Sequence, residues 1–386
     1  MYCRKCGNVI DENMKFCKQC GTKIERKEDT FNNKKVVGFF ICLCGVMLII
    51  VGFALYNKQK ETYYYSKGEE TPELTENKEE EKQEEQPIHN KSKNQTVIVA
   101  DNVYTGTNFS TKEDAISLIE KDSLSQKKTC PKTITKIENN IIKKYGIYAV
   151  NLCEMDENFA SELENTIETI YNSYPKVRGY LTNITLKNVS MKENYIAAFG
   201  PYNPFAYSKD YNSSPMVSKT EIFLNSKYFL NPEYIDSSVR SSSSQGWFPK
   251  NATRDSPVAH ELGHYLSFLA MMGEHNMKQV LIQTDENFQD FYDLMQDFVS
   301  GDFSLKMIKE AYQNYKNDHK DYKEDFDTFR GSISQYALAK DNNNEYIYDE
   351  TIAEAFHDVY LNKDQAVDAS KYIEAVLKKY LNKVGE

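Results

Sequence analysis

One stretch of the sequence contains residue types at a spacing that suits metal chemistry, His260-Glu261-Leu262-Gly263-His264. On a helix, residues four apart lie on the same face, so the two imidazoles can bind one metal ion. Glu261 then projects beside the open coordination position, where it can act as a general base. Apolar residues on both sides of the motif favour an amphipathic helix. The motif therefore predicts a catalytic zinc site.

A catalytic zinc site needs a third protein ligand, and a later segment offers several candidates. Glu350 and Glu354 are four residues apart in the stretch E-T-I-A-E-A-F and would share one face of a helix. One carboxylate can bind the metal while the other accepts the free N–H of a ligand histidine, which fixes the tautomer of that ring. The spacing alone leaves Glu350, Glu354 and His357 all open as the third ligand.

These two segments are similar to the peptidase domain of anthrax lethal factor and of the related Pro-Pro endopeptidases, over about residues 178 to 362. In those families the first Glu of E-x-x-A-E-A-F is the third zinc ligand. The resemblance therefore implies that Glu350 joins His260 and His264 as a metal ligand. It leaves Glu354 to orient one of the histidines, and it implies a zincin-like fold.

The same families place a tyrosine shortly before that glutamate, where its hydroxyl donates to the developing oxyanion. Tyr336 is the best match, although the fourteen positions that separate it from Glu350 are more than usual. Tyr346 and Tyr348 are the alternatives. Residues 221–229 also resemble the edge strand on which these enzymes bind substrate as an added antiparallel strand.

The N-terminus contains a second set of metal ligands in two Cys-x-x-Cys-Gly turns, formed by Cys3, Cys6, Cys17 and Cys20. Two such turns complete a four-cysteine zinc site. The metal supplies the folding free energy that so short a segment lacks. Residues 1–24 resemble the zinc ribbons at the N-termini of many bacterial membrane proteins. We expect a structural zinc ion here and a cytosolic protein as a possible partner.

Residues 36–56 predict a single transmembrane helix that anchors the protein in a membrane. These 21 residues carry no charge and are enough to cross a hydrocarbon core of about 30 Å. More Lys and Arg residues flank their N-terminal end than their C-terminal end, which places the N-terminus in the cytosol. Residues 57–97 are acidic and contain almost no apolar residues, so we expect a disordered tether.

The remaining residues, 98–386, are predicted to fold as one extracellular domain. The whole chain is 40% hydrophobic and 27% charged, which suffices for a sizeable core. Strand-like runs come first and helical patterns predominate from about residue 259. We therefore predict an α+β domain with a mixed sheet, an active-site helix and a mostly helical C-terminal part. The net charge of −10 argues against a nucleic-acid partner.

Local patterns also predict individual elements of this domain. Ser110-x-x-Glu113 is a capping box for a helix that ends near residue 122. Residues 146–153, 179–186 and 195–199 have the composition of strands.

Two cysteines lie beyond the predicted membrane segment, Cys130 and Cys153. A disulfide between them would close a loop of about 24 residues and contribute roughly 3 kcal/mol in the chain-entropy model. The sequence leaves open whether they pair.

These features predict a membrane-anchored zinc endopeptidase that hydrolyses polypeptides outside the cell through a zinc-activated water, with one catalytic and one structural zinc ion. The alternative is an inactive zincin-fold protein that binds or signals, and whose ribbon recruits a cytosolic partner. The intact Glu261 favours the enzyme, because a binding protein has no physical need for a general base.

Overall fold

The computed structural model of the protein describes residues 104–105, 111–125, 129–187, 195–207 and 215–385. The predicted zinc ribbon, transmembrane helix and tether all lie outside these residues. Among the described helices, none combines the length and the apolar character that crossing a membrane requires.

A mixed sheet organises the first half of the described chain. Its strands are β1 (Tyr104–Thr105), β2 (Ala149–Asn151), β3 (Asn183–Lys187), β4 (Ala197–Tyr207), β5 (Met216–Asn225) and β6 (Ile282–Gln283). The order is β1-β4-β5-β3-β2, and β6 pairs with β5. β5, β3 and β2 run parallel to one another, whereas β4 is antiparallel to β5. The mixed sheet and the predominance of helix confirm the predicted α+β class.

The prediction that residues 221–229 form an edge strand is wrong. Residues up to Asn225 belong to β5, which pairs with β3 on one side and with β4 on the other. Every residue of β5 after Met216 is buried, as expected of a strand that is covered on both faces. The side chain of Asn225 then accepts a hydrogen bond from the backbone N–H of Lys227 and begins a short helix.

Helices make up most of the remaining structure. They are α1 (Lys112–Ser125), α2 (Lys132–Tyr145), α3 (Glu157–Ser173), α4 (Ser226–Phe229), α5 (Pro232–Ser244), α6 (Ser256–Glu274), α7 (Phe288–Ser300), α8 (Asp302–Asp318), α9 (Phe326–Gly331), α10 (Tyr348–Asn362) and α11 (Asp368–Leu381). Two of them, α6 and α10, carry the segments from which the sequence predicts metal ligands.

The first helix is capped one residue later than predicted. Thr111 and Asp114 bond reciprocally: the backbone N–H of each donates to the side chain of the other, over 3.1 Å in both cases. Both Ser110-x-x-Glu113 and Thr111-x-x-Asp114 fit the capping-box pattern. The observed helix buries Ala115 and Ile119 against the sheet.

α6 is an interior helix, and its residues from Ser256 to Gly273 are all buried. It packs against α10 and β4. At the crossing with α10, a Cβ atom on Gly263 would lie only 2.8 Å from Cα of Ala353 and 3.1 Å from its carbonyl oxygen. Only glycine therefore permits this backbone approach, which brings α10 within reach of the histidines.

The start of α6 is tied to two other helices by Asp255. One carboxylate oxygen of Asp255 accepts hydrogen bonds from the hydroxyl of Thr166 on α3, over 2.9 Å, and from that of Tyr360 on α10, over 2.8 Å. These contacts connect α6 and α10, the two helices that carry the candidate ligands, at a second point.

Candidate metal centre

Three side-chain atoms from α6 and α10 form a compact triangle, which we call the metal triangle. They are Nε2 of His260, Nε2 of His264 and Oε2 of Glu350. The two nitrogens are 3.0 Å apart, and the oxygen lies 3.2 Å from the first and 3.3 Å from the second. Ligand atoms bound at about 2.0 to 2.1 Å to a tetrahedral zinc ion are about 3.3 Å from one another. The triangle therefore has the size of one face of such a site.

The hydrogen bonds around the triangle also fit a metal ion. Nδ1 of His260 donates to Oε1 of Glu354 over 2.7 Å, and Nδ1 of His264 donates to Oδ2 of Asp349 over 2.5 Å. Both Nε2 atoms of the neutral rings therefore carry lone pairs. Oε2 of Glu350 is buried, and no donor in the described part of the chain meets it with hydrogen-bond geometry. Three converging lone pairs repel one another unless a cation lies between them.

In the absence of a metal ion, the neighbouring carboxylates favour the protonated form of the two histidines. Burial lowers the pKa of His260, but the neighbouring carboxylates of Glu350 and Glu354 outweigh this effect and raise the pKa to about 10. Burial would raise the pKa of Glu350, yet the two histidines hold that pKa well below its usual value. Metal binding at this site therefore releases protons.

Glu354 and His357, the other candidates for the third ligand, lie behind the ring of His260. Glu354 contacts Nδ1 of that ring, on the side away from the triangle. Nδ1 of His357 is 3.4 Å from Oε1 of Glu354, and the His357 ring packs edge-on against Phe248. Glu350 is therefore the carboxylate that meets both Nε2 atoms. Glu354 occupies the position expected of a residue that orients a ligand histidine.

Asp349, which no sequence pattern singled out, contacts the second histidine. Its Oδ2 accepts the hydrogen bond from His264, while its Oδ1 accepts from the hydroxyls of Ser267, over 2.5 Å, and Ser304, over 3.2 Å. The one feature of the sequence that could have pointed to Asp349 was its position directly before Glu350. Helical spacing does not select it, because adjacent residues of a helix point in different directions.

Glu261 lies beside the triangle and contacts the sheet. The backbone of Phe199 on β4 lies close to its carboxylate and acts to lower its pKa. Burial is the main cause that raises the pKa of Glu261, and the negative charge of Glu350 adds to it. A carboxylate with a raised pKa is suited to take and return a proton near neutral pH.

Among the three candidate tyrosines, Tyr336 is the one that contacts the triangle. It lies in a short 3-10 helix, Tyr336–Leu338, and its hydroxyl donates to Oε1 of Glu350 over 3.4 Å. Its ring centre is 5.6 Å from that of His260. Burial and the charges of the nearby glutamates raise the pKa of Tyr336 well above its usual value, so the hydroxyl keeps its proton.

The other two tyrosines are engaged elsewhere. The hydroxyl of Tyr346 donates to Asp327 over 2.8 Å. The guanidinium group of Arg330 lies over the rings of Tyr346 and Tyr348, at 4.5 and 4.7 Å from their centres. These contacts form a separate cation–π cluster.

The edge of β4 nearest Glu261 has no strand paired with it within the described chain. Residues Ala197–Gly200 pair with β5 on one side. On the other side β1 pairs with β4 at Ala206 and Tyr207 alone. In the described structure, no strand therefore pairs with the outer edge of β4 beside Phe199.

The comparisons with known proteins identify the N-terminal module. Residues 2–24 match the zinc-ribbon domain family, which confirms the predicted ribbon and supports zinc binding there. Cys3, Cys6, Cys17 and Cys20 all lie within the match, although outside the described structure. The comparisons with curated proteins and with solved structures gave no match. No peptidase family is therefore shown for the folded domain, and its resemblance to lethal factor stays a prediction.

Proposed function

We propose that the protein is a membrane-anchored zinc endopeptidase, similar in its catalytic residues to lethal factor and the Pro-Pro endopeptidases. The observation that carries the proposal is the metal triangle with Glu261 beside it. Two imidazoles and one carboxylate leave a fourth coordination position, which is typical of catalytic zinc, whereas structural zinc sites have four protein ligands.

The roles of the surrounding residues follow from their contacts. A zinc ion held by the triangle would polarise the scissile carbonyl group and make the attacking water more acidic. Glu261 takes the proton of that water and returns it to the leaving amine. The hydroxyl of Tyr336 donates to the carbonyl oxygen as negative charge develops on it. Glu354 and Asp349 hold the two imidazoles in place.

An extended polypeptide is the substrate that this arrangement favours. A peptide can add to the outer edge of β4 as a further strand, held by main-chain hydrogen bonds. Because the backbone of Phe199 contacts Glu261, a peptide on that edge passes next to the general base. β4, rather than the internal β5, is therefore the strand that we propose for substrate binding.

A Glu261→Gln variant of the full-length protein tests whether the site is catalytic. The amide keeps the size of the side chain and removes the base. We expect unchanged zinc content and thermal stability, with a peptide-cleaving rate at least about 100-fold lower. Glu274→Gln is the matched control, because Glu274 lies at the end of the same helix and pairs with Lys306 and Lys383 on the surface.

Two outcomes would count against the proposal. Cleavage that proceeds at the same rate in the Glu261→Gln variant would have to come from another site. A wild-type protein that binds zinc but cleaves no member of a diverse peptide library would favour the alternative, an inactive zincin-fold protein that binds or signals.

The proposed location rests on the sequence. The apolar segment 36–56 would anchor the protein with its zinc ribbon in the cytosol, where the ribbon can bind a protein partner, and with the peptidase domain outside the cell. We expect that protease added to intact cells cleaves the tether near residues 69–86 and releases the domain. Protection of the domain until the cells are lysed would show the opposite orientation.

A further inference from the structure

A second cluster of possible metal ligands, which we call the thiol cluster, lies where α2 packs against β2. Cys130 precedes α2, Glu138 lies on α2, and Cys153 follows β2. The sulfur atoms of Cys130 and Cys153 are each 3.9 Å from the carboxylate of Glu138. One ligand atom from each of the three residues lies within 4.8 Å of the other two.

These distances are close to those of a zinc site with sulfur and oxygen ligands. Zn–S bonds of about 2.3 Å and Zn–O bonds of about 2.1 Å place the sulfur and oxygen atoms of a tetrahedral site about 3.6 Å apart. The observed separations exceed this value by a few tenths of an ångström. Small side-chain rotations of Cys130 and Cys153 would therefore suffice to bring both sulfur atoms to a shared ion.

The carboxylate of Glu138 is already oriented as a ligand would be. The side chain is fully buried, and its Oε1 accepts a hydrogen bond from the backbone N–H of Leu152 over 2.7 Å. Ligating carboxylates are characteristically held by such hydrogen bonds. Because Leu152 directly precedes Cys153, the same contact also sets the position of one thiol relative to the carboxylate.

The chemistry of the three groups favours a metal ion over simple hydrogen bonding. An S–H group is a weak donor, whereas a buried carboxylate requires strong compensation for its charge. A divalent cation supplies that compensation. It also favours loss of both thiol protons, because cysteines bind metal ions as thiolates. Binding would release the two thiol protons to solvent. Cys130 is only partly buried, so an ion can enter from its side.

We propose that Cys130, Glu138 and Cys153 bind a further zinc ion, with solvent at the fourth position, that fastens the start of α2 to the turn after β2. A disulfide is the competing arrangement, and it would remove both S–H donors that now face the carboxylate of Glu138. The proposed ion is independent of the peptidase site, since the two sites share no residue.

Zinc analysis of the full-length protein, purified in detergent and kept reduced by a phosphine, tests the proposal. We expect the Cys130→Ser/Cys153→Ser double variant to hold one zinc equivalent fewer than the wild type. The matched control is Cys42→Ser/Cys44→Ser, which also removes two thiols and should lose no zinc. Glu138→Gln, which keeps an acceptor for Leu152 but removes the charge, should release the same equivalent to a chelator more readily.

Cadmium provides a second readout that does not depend on stability. Titration with Cd²⁺ should give sulfur-to-metal charge-transfer absorption that is smaller in the double variant than in the control. Equal zinc content and equal absorption in the two proteins would overturn the proposal. So would a Cys130–Cys153 disulfide whose reduction leaves the zinc content unchanged.

The zinc analysis can reject either proposed site without rejecting the other. If the thiol cluster binds zinc as proposed, its double variant keeps peptidase activity and the equivalent held by the metal triangle. Glu350→Ala should lose that other equivalent and keep the one at the thiol cluster. A protein that loses one equivalent in each variant supports both sites, and loss in only one variant identifies the site that exists.

Discussion

The two histidines of the metal triangle are oriented by the same device, a carboxylate at Nδ1, but the two carboxylates come from different positions in α10. Glu354, which contacts His260, lies in the interior of the helix. Asp349, which contacts His264, lies in its first turn. The two sides of the site therefore depend on different parts of the fold, although they meet at the same ligand, Glu350.

The supports behind the two carboxylates differ more strongly. Glu354 is backed by the imidazole of His357, from its own helix. Asp349 accepts hydroxyl hydrogen bonds from Ser267 on α6 and Ser304 on α8. The His264 side thus joins three helices at one carboxylate, and its geometry depends on long-range packing. The His260 side is more local. Substitutions can test whether this difference has energetic consequences.

The largest effect is expected from Glu350→Ala, which removes the ligand that both sides share. With only two imidazoles left, zinc at this site should no longer be stoichiometric, and cleavage should be lost with it. Zinc analysis and peptide hydrolysis measure both effects, with Glu345→Ala, at an exposed position five residues earlier, as the control. Tightly held, stoichiometric zinc in Glu350→Ala would show that the ligand has been assigned incorrectly.

Tyr336→Phe should affect catalysis on the His260 side without loss of metal. Removal of one donor to a developing oxyanion typically lowers the rate by about 100- to 1000-fold. We expect a loss of that size in kcat and an unchanged zinc content. Tyr346→Phe, which removes the hydroxyl that bonds Asp327, should have little effect. A larger loss of kcat in Tyr346→Phe than in Tyr336→Phe would reverse the assignment.

Glu354→Gln and Asp349→Asn compare the two sides directly and should have the smallest effects. Each amide retains an acceptor for Nδ1–H but removes the charge that makes the imidazole a better ligand. We expect zinc affinity to fall about 10- to 100-fold in each variant, measured by competition with a chelator. Asp364→Asn, an exposed position beyond α10, serves as the control. Unchanged affinity in one variant would show that only one side needs its carboxylate.

Local geometry explains which parts of the site were predictable from the sequence. His260 and His264 are four residues apart on one helix, so their convergence follows from helical periodicity alone. The choice of Glu350 over Glu354 depends on how α10 crosses α6, which periodicity does not specify. Resemblance suggested Glu350, and the crossing at Gly263 places it between the two Nε2 atoms. Asp349 required the positions of three helices and was missed.

The fold shows the same division between local and long-range features. The α+β class and the mixed sheet could be predicted from strand-like and helical patterns. The position of β5 within the sheet could not, because composition does not report which strands lie on either side. The thiol cluster could not be predicted from the sequence either. Glu138 lies eight residues from Cys130 and fifteen from Cys153, and only the packing of α2 on β2 brings the three side chains together.

The close helix crossing at Gly263 also bears on how such a protein could drift away from catalysis. A larger residue at 263 would push α10 away from α6 and so disturb the core, the fold and the metal site together. Glu261, in contrast, is required only for the proposed cleavage, and its replacement by glutamine is expected to leave the stability of the domain unchanged. A descendant released from selection for cleavage would therefore lose Glu261 early and Gly263 late. This chain has both residues.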